Sequence, residues 1–183
     1  MSSATTEPTG LVATFQDLAA QVPDALQPFV VALAGAVPFI EGEGSAVIGI
    51  LAGLDPVVAA VAGAAGNFLC VLAVVLLTSR ARTAVVDRRA GGPGGAGGVA
   101  VAERPAAPES KGKQRLRAWV LRFGVPGASL LGPLAIPTQI TAATLVASGV
   151  RKGWVLLWQA VAIVVWTTGV TLLATGVLTF LTR

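Results

Sequence analysis

Two carboxylates, Glu41 and Glu43, stand in the run P-F-I-E-G-E-G-S-A-V-I-G at 38–49, which is otherwise uncharged. An ionised side chain at the centre of a bilayer costs about 2.5 to 3.5 kcal/mol on the mildest scale, so carboxylates kept there face a cavity and act. A desolvated carboxylate gains and loses its proton near neutral pH, which is the chemistry that couples a proton gradient to transport. The competing reading has both glutamates at a water-filled mouth, where they only solvate a turn. The chain has no His and no Tyr, and Cys70 is its one cysteine, expected to be a small buried apolar residue. Imidazole acid/base chemistry, disulfides, thiol redox pairs and most transition-metal sites are thereby removed. No catalytic constellation remains, so neither an enzyme nor a metal or cofactor site is expected.

These glutamates must be held by apolar elements. Hydrophobic residues make up 54% of the 183 and charged residues 12%, where a soluble domain carries about 25% charged. With a mean hydropathy of +0.77, the chain reads as a single all-α integral membrane domain over 1–183. The opening M-S-S-A-T-T-E-P lacks a basic n-region and an apolar core, so insertion through the chain's own spans is expected. The net charge of +4 comes from one linker rather than a folded face, which marks topology and not nucleic-acid binding.

Residues 10–22 place Leu11, Phe15, Leu18 and Val22 at helical spacing, which predicts an interfacial amphipathic helix closed by Pro23. From 28 to 54 the apolar run is broken at Pro38, Glu41, Gly42, Glu43 and Gly44. Each half is too short to span, so a re-entrant helical hairpin is predicted, turning where Gly42 and Gly44 free the backbone. Asp55-Pro56 marks a turn into a transmembrane helix at 57–78, where Asn67 is the one strongly polar side chain and a candidate substrate contact; the alternative is a packing notch with Gly63 and Gly66.

Residues 79–113, with G-G-P-G-G-A-G-G at their centre, predict a disordered linker. A basic amphipathic helix is expected at 114–123, with Trp119 at headgroup level. Pro126, Pro133 and Pro137 with Thr138, Gln139 and Thr141 predict a second re-entrant hairpin at 124–150. A second transmembrane helix follows at 154–181, anchored by Trp154 and Trp158.

Hairpin then span thus occurs twice. A shift of 96 residues lays Ser45 on Thr141, Ala46 on Ala142, Gly53 on Gly149 and Glu43 on Gln139. The first hairpin is followed by Asp55 and the second by Arg151-Lys152, and no residue before Arg80 is basic. By the positive-inside rule the two repeats are inverted, with 79–123 and 151–152 cytoplasmic and residue 55 and both termini outside.

The run P-F-I-E-G-E-G at 38–44 with Gly66-Asn67 resembles the small multidrug-export protein family. R-F-G-V-P-G at 122–127, L-A-I-P at 134–137 and A-S-G at 147–149 resemble the related DedA-type membrane proteins. The resemblance covers about 28–182 and implies re-entrant hairpins, inverted repeats and transport driven by protons or an ion gradient. It lays Glu41 on the family's acidic position and Arg122 on the arginine preceding the second hairpin.

The expected function is proton-coupled export of small amphipathic molecules across the cell membrane, with Glu41 and Glu43 as proton carriers. Arg122, Gln139, Asn67, Thr138 and Thr141 are the candidate substrate contacts, Arg122 serving otherwise as a snorkelling anchor. A DedA-type flippase for polyprenyl-phosphate or phospholipid carriers and a non-transporting scaffold are the alternatives. Membrane lipids and a second copy of the chain are the expected partners, a homodimer being the smallest closed way to hide a polar midplane from lipid.

Overall fold

Every long element in the computed structural model, which describes residues 10–90 and 124–181, is a helix, and no strand occurs among the described residues. In chain order these are α1 (Gly10–Gln21), α2 (Gln27–Gly35), α3 (Glu41–Leu51), α4 (Pro56–Ala90), α5 (124–131), α6 (Thr138–Ala147) and α7 (Lys152–Leu181). Short 3-10 turns at Asp24–Leu26 and Gly132–Leu134 lead into α2 and out of α5.

Two of these helices are long and apolar enough to cross a membrane. Pro56–Val85 of α4 and Lys152–Leu181 of α7 have 30 residues each, about 45 Å of helix against a hydrocarbon core of about 30 Å. Only 28% and 22% of their most apolar windows is buried, where the core helix of a soluble domain would be mostly covered. Leu69, Leu77, Val164, Leu172 and Leu173 stand exposed along them, as side chains facing lipid do.

The starts and stops follow local chemistry. Asp55 accepts hydrogen bonds at its Oδ1 from the N–H groups of Val57 (2.9 Å) and Val58 (3.2 Å), and Pro56 opens α4 at a position that needs no donor. At the end of α3, Gly53 takes φ +95°; its N–H donates to Ile50 and that of Leu54 to Gly49, both at 3.0 Å. At the end of α6, Gly149 takes φ +98°, and the same pair of bonds joins Gly149 to Val146 (3.0 Å) and Val150 to Leu145 (3.1 Å). Both are left-handed glycine caps that satisfy the last carbonyls of the helix. They fall on the two glycines that the 96-residue shift superposes.

The contacts divide the described chain into two units, and the division cuts α4 after Cys70 and α7 after Gln159. In the first unit α2 packs on α3 and α1 lies against both. Ala34, Ile40 and Ile48 form the centre, with Phe15 of α1 and Val37 packed on them. The apolar stripe read for α1 is split: Phe15 and Val22 are half-buried, while Leu11 and Leu18 remain exposed. The second unit holds the rest of α4, then α5, α6 and the start of α7.

Several expectations are corrected. Ser79–Ala90, read as the start of a disordered linker, continues α4. Arg and Ala favour helix, and no Gly or Pro intervenes before Gly91. Gly42 and Gly44, read as the turn of the first hairpin, lie inside α3, and residues 36–40 make the turn. Cys70 is half-buried rather than fully buried. The remainder of the linker, the helix expected at 114–123, Trp119 and Arg122 lie outside the described residues.

Candidate functional site

The first unit contains the acidic site. Beyond Gly35 the chain turns on bonds from Val37 N–H to Ala34 (3.0 Å), Ile40 N–H to Val37 (3.2 Å) and Glu41 N–H to Val37 (3.1 Å). Phe39 and Glu41 are both forced into the left-handed region, at φ 73° and 54°. This costs an L-residue roughly 1 to 2 kcal/mol and persists only where the surroundings over-determine it. Phe39 is 82% exposed, whereas Glu41 is 4% exposed. A carboxylate is therefore both strained and buried in the same residue. Glu43, one position past Gly42, is half-buried. Both stand in the first turn of α3, which no side chain caps, and there the helix dipole favours negative charge.

Backbones crowd around this turn. A Cβ on Gly42 would strike Thr167 Oγ1 of α7, and one on Gly63 of α4 would come within 2.7 Å of the Gly42 carbonyl as well as striking the Ser45 hydroxyl. Ser45 Oγ, fully buried, donates to the Gly42 carbonyl at 3.0 Å. Asn67, one turn beyond Gly63, is also fully buried. Thr167 and Thr171 are 2% and 7% exposed, and their hydroxyls find no hydrogen-bond partner among the described residues. Farther along the same helix, Thr175 and Thr179 donate to the carbonyls four residues back at 2.8 Å. Buried hydroxyls are normally satisfied, so those of Thr167 and Thr171 stand out from the others on this helix. In general a carboxylate can give and take a proton, and hydroxyls can both donate and accept hydrogen bonds.

The second unit has a polar cluster with no acid in it. Thr138, Gln139 and Thr141 occupy the first turn of α6 and are buried. Ser129 of α5 and Gln159 of α7 are fully buried and joined, Gln159 Nε2 donating to Ser129 Oγ at 3.3 Å. Gln159 Oε1 and Thr141 Oγ1 have no partner among the described residues. A Cβ on Gly132 would sit 3.3 Å from Thr141 Oγ1, so the small residue of the first leg receives the hydroxyl of the second. Gly35 stands in the same relation to Ser45 in the first unit, at 3.1 Å.

Of the site residues read from the sequence, Glu41, Glu43 and Asn67 fall in the first unit and Thr138, Gln139 and Thr141 in the second, all of them wholly or partly buried. Ser129, Gln159, Thr167 and Thr171 were not among them. Gln159 carried the signal that singled out Asn67, an amide in an apolar span. The threonines carried none, because a helical threonine ordinarily bonds its own backbone.

What the fold defines, among the described residues, is a set of helices with two long and apolar enough to span a membrane, and with buried polar groups in each unit. No family model, curated protein or solved structure matches it.

Proposed function

We propose that this protein is a small proton-coupled membrane transporter, exporting small amphipathic molecules, in which Glu41 carries the coupling proton and Glu43 tunes it. The observation that carries the reading is Glu41 itself, 4% exposed at φ 54° in the first turn of α3. Burial makes the ionised form costly, and a left-handed backbone at a non-glycine residue supports a site whose surroundings over-determine it. Purified protein in liposomes, given a pH gradient and a cationic amphipathic dye, should show gradient-dependent flux. Flux indifferent to the gradient overturns the coupling.

Half-depth hairpins are supported by the lengths of α2, α3 and α6, which have 9, 11 and 10 residues. At 1.5 Å per residue each is about half the hydrocarbon thickness. Inverted repeats are supported by charge: Arg82 near the end of α4 lines one cavity with Arg151 and Lys152, while Asp55 occupies the turn after α3. Basic groups gathered at one end suit a cytoplasmic face. Single cysteines at Ser2 and Gly95, in a Cys70→Ala background, should label from opposite sides of the membrane. Labelling from the same side overturns the inverted arrangement.

A homodimer completes the proposal. The spans cover little of their own apolar surface, and two short hairpins offer few atoms to shield buried polar groups from lipid. In mild detergent the active species should have twice the mass of the chain. A monodisperse monomer that still transports overturns this.

A further inference from the structure

In the polar cluster of the second unit, two buried oxygens are left over. Gln159 commits Nε2 to Ser129 Oγ at 3.3 Å, and its Oε1 has no partner among the described residues. Thr141 Oγ1 has none there either. Gln159 is 0% and Thr141 1% exposed, so neither oxygen is satisfied at the surface. Both side chains meet the same short stretch of chain. Ser129, which holds Gln159, and Gly132, whose Cβ would lie 3.3 Å from Thr141 Oγ1, are three residues apart where α5 runs into its 3-10 turn. Residues so spaced share a helix face about 5 to 6 Å apart, a gap that one small guest bridges from both sides. Pro133 follows, and without an N–H it returns no bond to the Ser129 carbonyl four residues back. A third oxygen thus belongs to this face, at the helix end where carbonyls lack donors and the dipole is negative.

We infer that the end of α5 binds a sodium ion between Gln159 Oε1, Thr141 Oγ1 and the Ser129 carbonyl. Every group offered is a neutral oxygen, which suits a hard cation and gives a soft metal no nitrogen or sulfur. Calcium and magnesium are held with the help of carboxylates, and none stands among these residues, so the charge is a single one. Helices interrupted within a membrane use their C-terminal ends and freed carbonyls in this way to coordinate sodium. A water molecule must find donors for its own lone pairs, whereas a cation accepts lone pairs on every side and is favoured by the dipole of α5. The site requires neither Glu41 nor a proton gradient. Its occupancy is measured without flux, so it stands or falls apart from transport.

The full chain in mild detergent, dialysed to equilibrium against radioactive sodium, should bind the label saturably. Unlabelled NaCl should displace it, and choline chloride at the same concentration should not. Thr141→Val and Gln159→Met keep the volume and remove one oxygen each. Each should raise the NaCl needed for half displacement about tenfold or more, the usual loss for one polar group facing a charge. Thr141→Ser retains the hydroxyl and should bind as the parent does, which separates loss of the oxygen from loss of the fold. Thr144→Val is the control on the same helix: its hydroxyl already donates to the Ile140 carbonyl at 2.8 Å, and binding should not change. No saturable binding in the parent leaves these oxygens to water and overturns the site. Displacement by choline chloride, or equal loss in Thr141→Val and Thr144→Val, reduces the effect to ionic strength or packing and overturns it too. Binding lost in Glu41→Gln and kept in Thr141→Val puts the ion in the first unit and overturns this placement.

Discussion

Glu41→Gln should reduce proton-driven flux to that of empty liposomes while expression and oligomer size stay those of the parent. Glutamine keeps the volume and the hydrogen-bonding capacity of a protonated glutamic acid, so the buried position 41 loses no packing. What it loses is the titration. Glu43→Gln should only move the pH optimum, because Glu43 is half-buried and less committed to a single environment. Glu41→Asp separates geometry from charge. It retains a carboxylate one methylene short of the site, and flux should persist at a reduced rate. Normal flux with unchanged pH dependence in Glu41→Gln makes the carboxylate structural and removes this mechanism.

Gly66→Ala should be the most damaging small substitution in the first unit. A Cβ there would fall on the Ala32 carbonyl and within 2.7 Å of the Ala32 Cα. The obstacle is backbone, which no rotamer change removes. Overpacking of this kind costs about 1 to 3 kcal/mol and sometimes more, because α2 must withdraw from α4 as a whole. Gly176→Ala is the control: nothing lies within 4 Å of the added methyl, and the helix gains up to about 1 kcal/mol of propensity. The thermal midpoint in detergent should fall in the first variant and hold or rise in the second. Equal midpoints would show that the contact between α2 and α4 is not tight.

Much of this architecture is legible in the sequence because membrane helices are specified by length and by interruption. Asp55-Pro56 announces the start of α4, and Gly53 and Gly149 mark the ends of α3 and α6 with the one residue that takes a left-handed cap cheaply. Where the reading departed, one residue type had two uses. Gly42 and Gly44 read as a turn because glycine frees the backbone. In the structure Gly42 is helical, and its missing side chain admits Thr167. Arg80 and Arg82 read as the edge of a linker because charge replaces apolar periodicity there, yet charge does not stop a helix. At the site, Glu41, Gln139 and Asn67 are visible as polar residues in apolar surroundings. The exposure that separates Glu41 from Glu43, and the lack of a partner that separates Thr167 from Thr175, depend on neighbours distant in the chain.

The matched glycine caps after α3 and α6 bear on what the two turns can tolerate. Asp55 and Arg151 do the same backbone task, each offering its carbonyl to the N–H four residues on, at Ala59 (2.9 Å) and at Val155 (3.1 Å). The two turns share their backbone and differ in the charge that projects from it. Backbone and charge are thereby separable. A charge substitution at Arg151 needs no new backbone, because the bonds that close its turn come from main-chain groups.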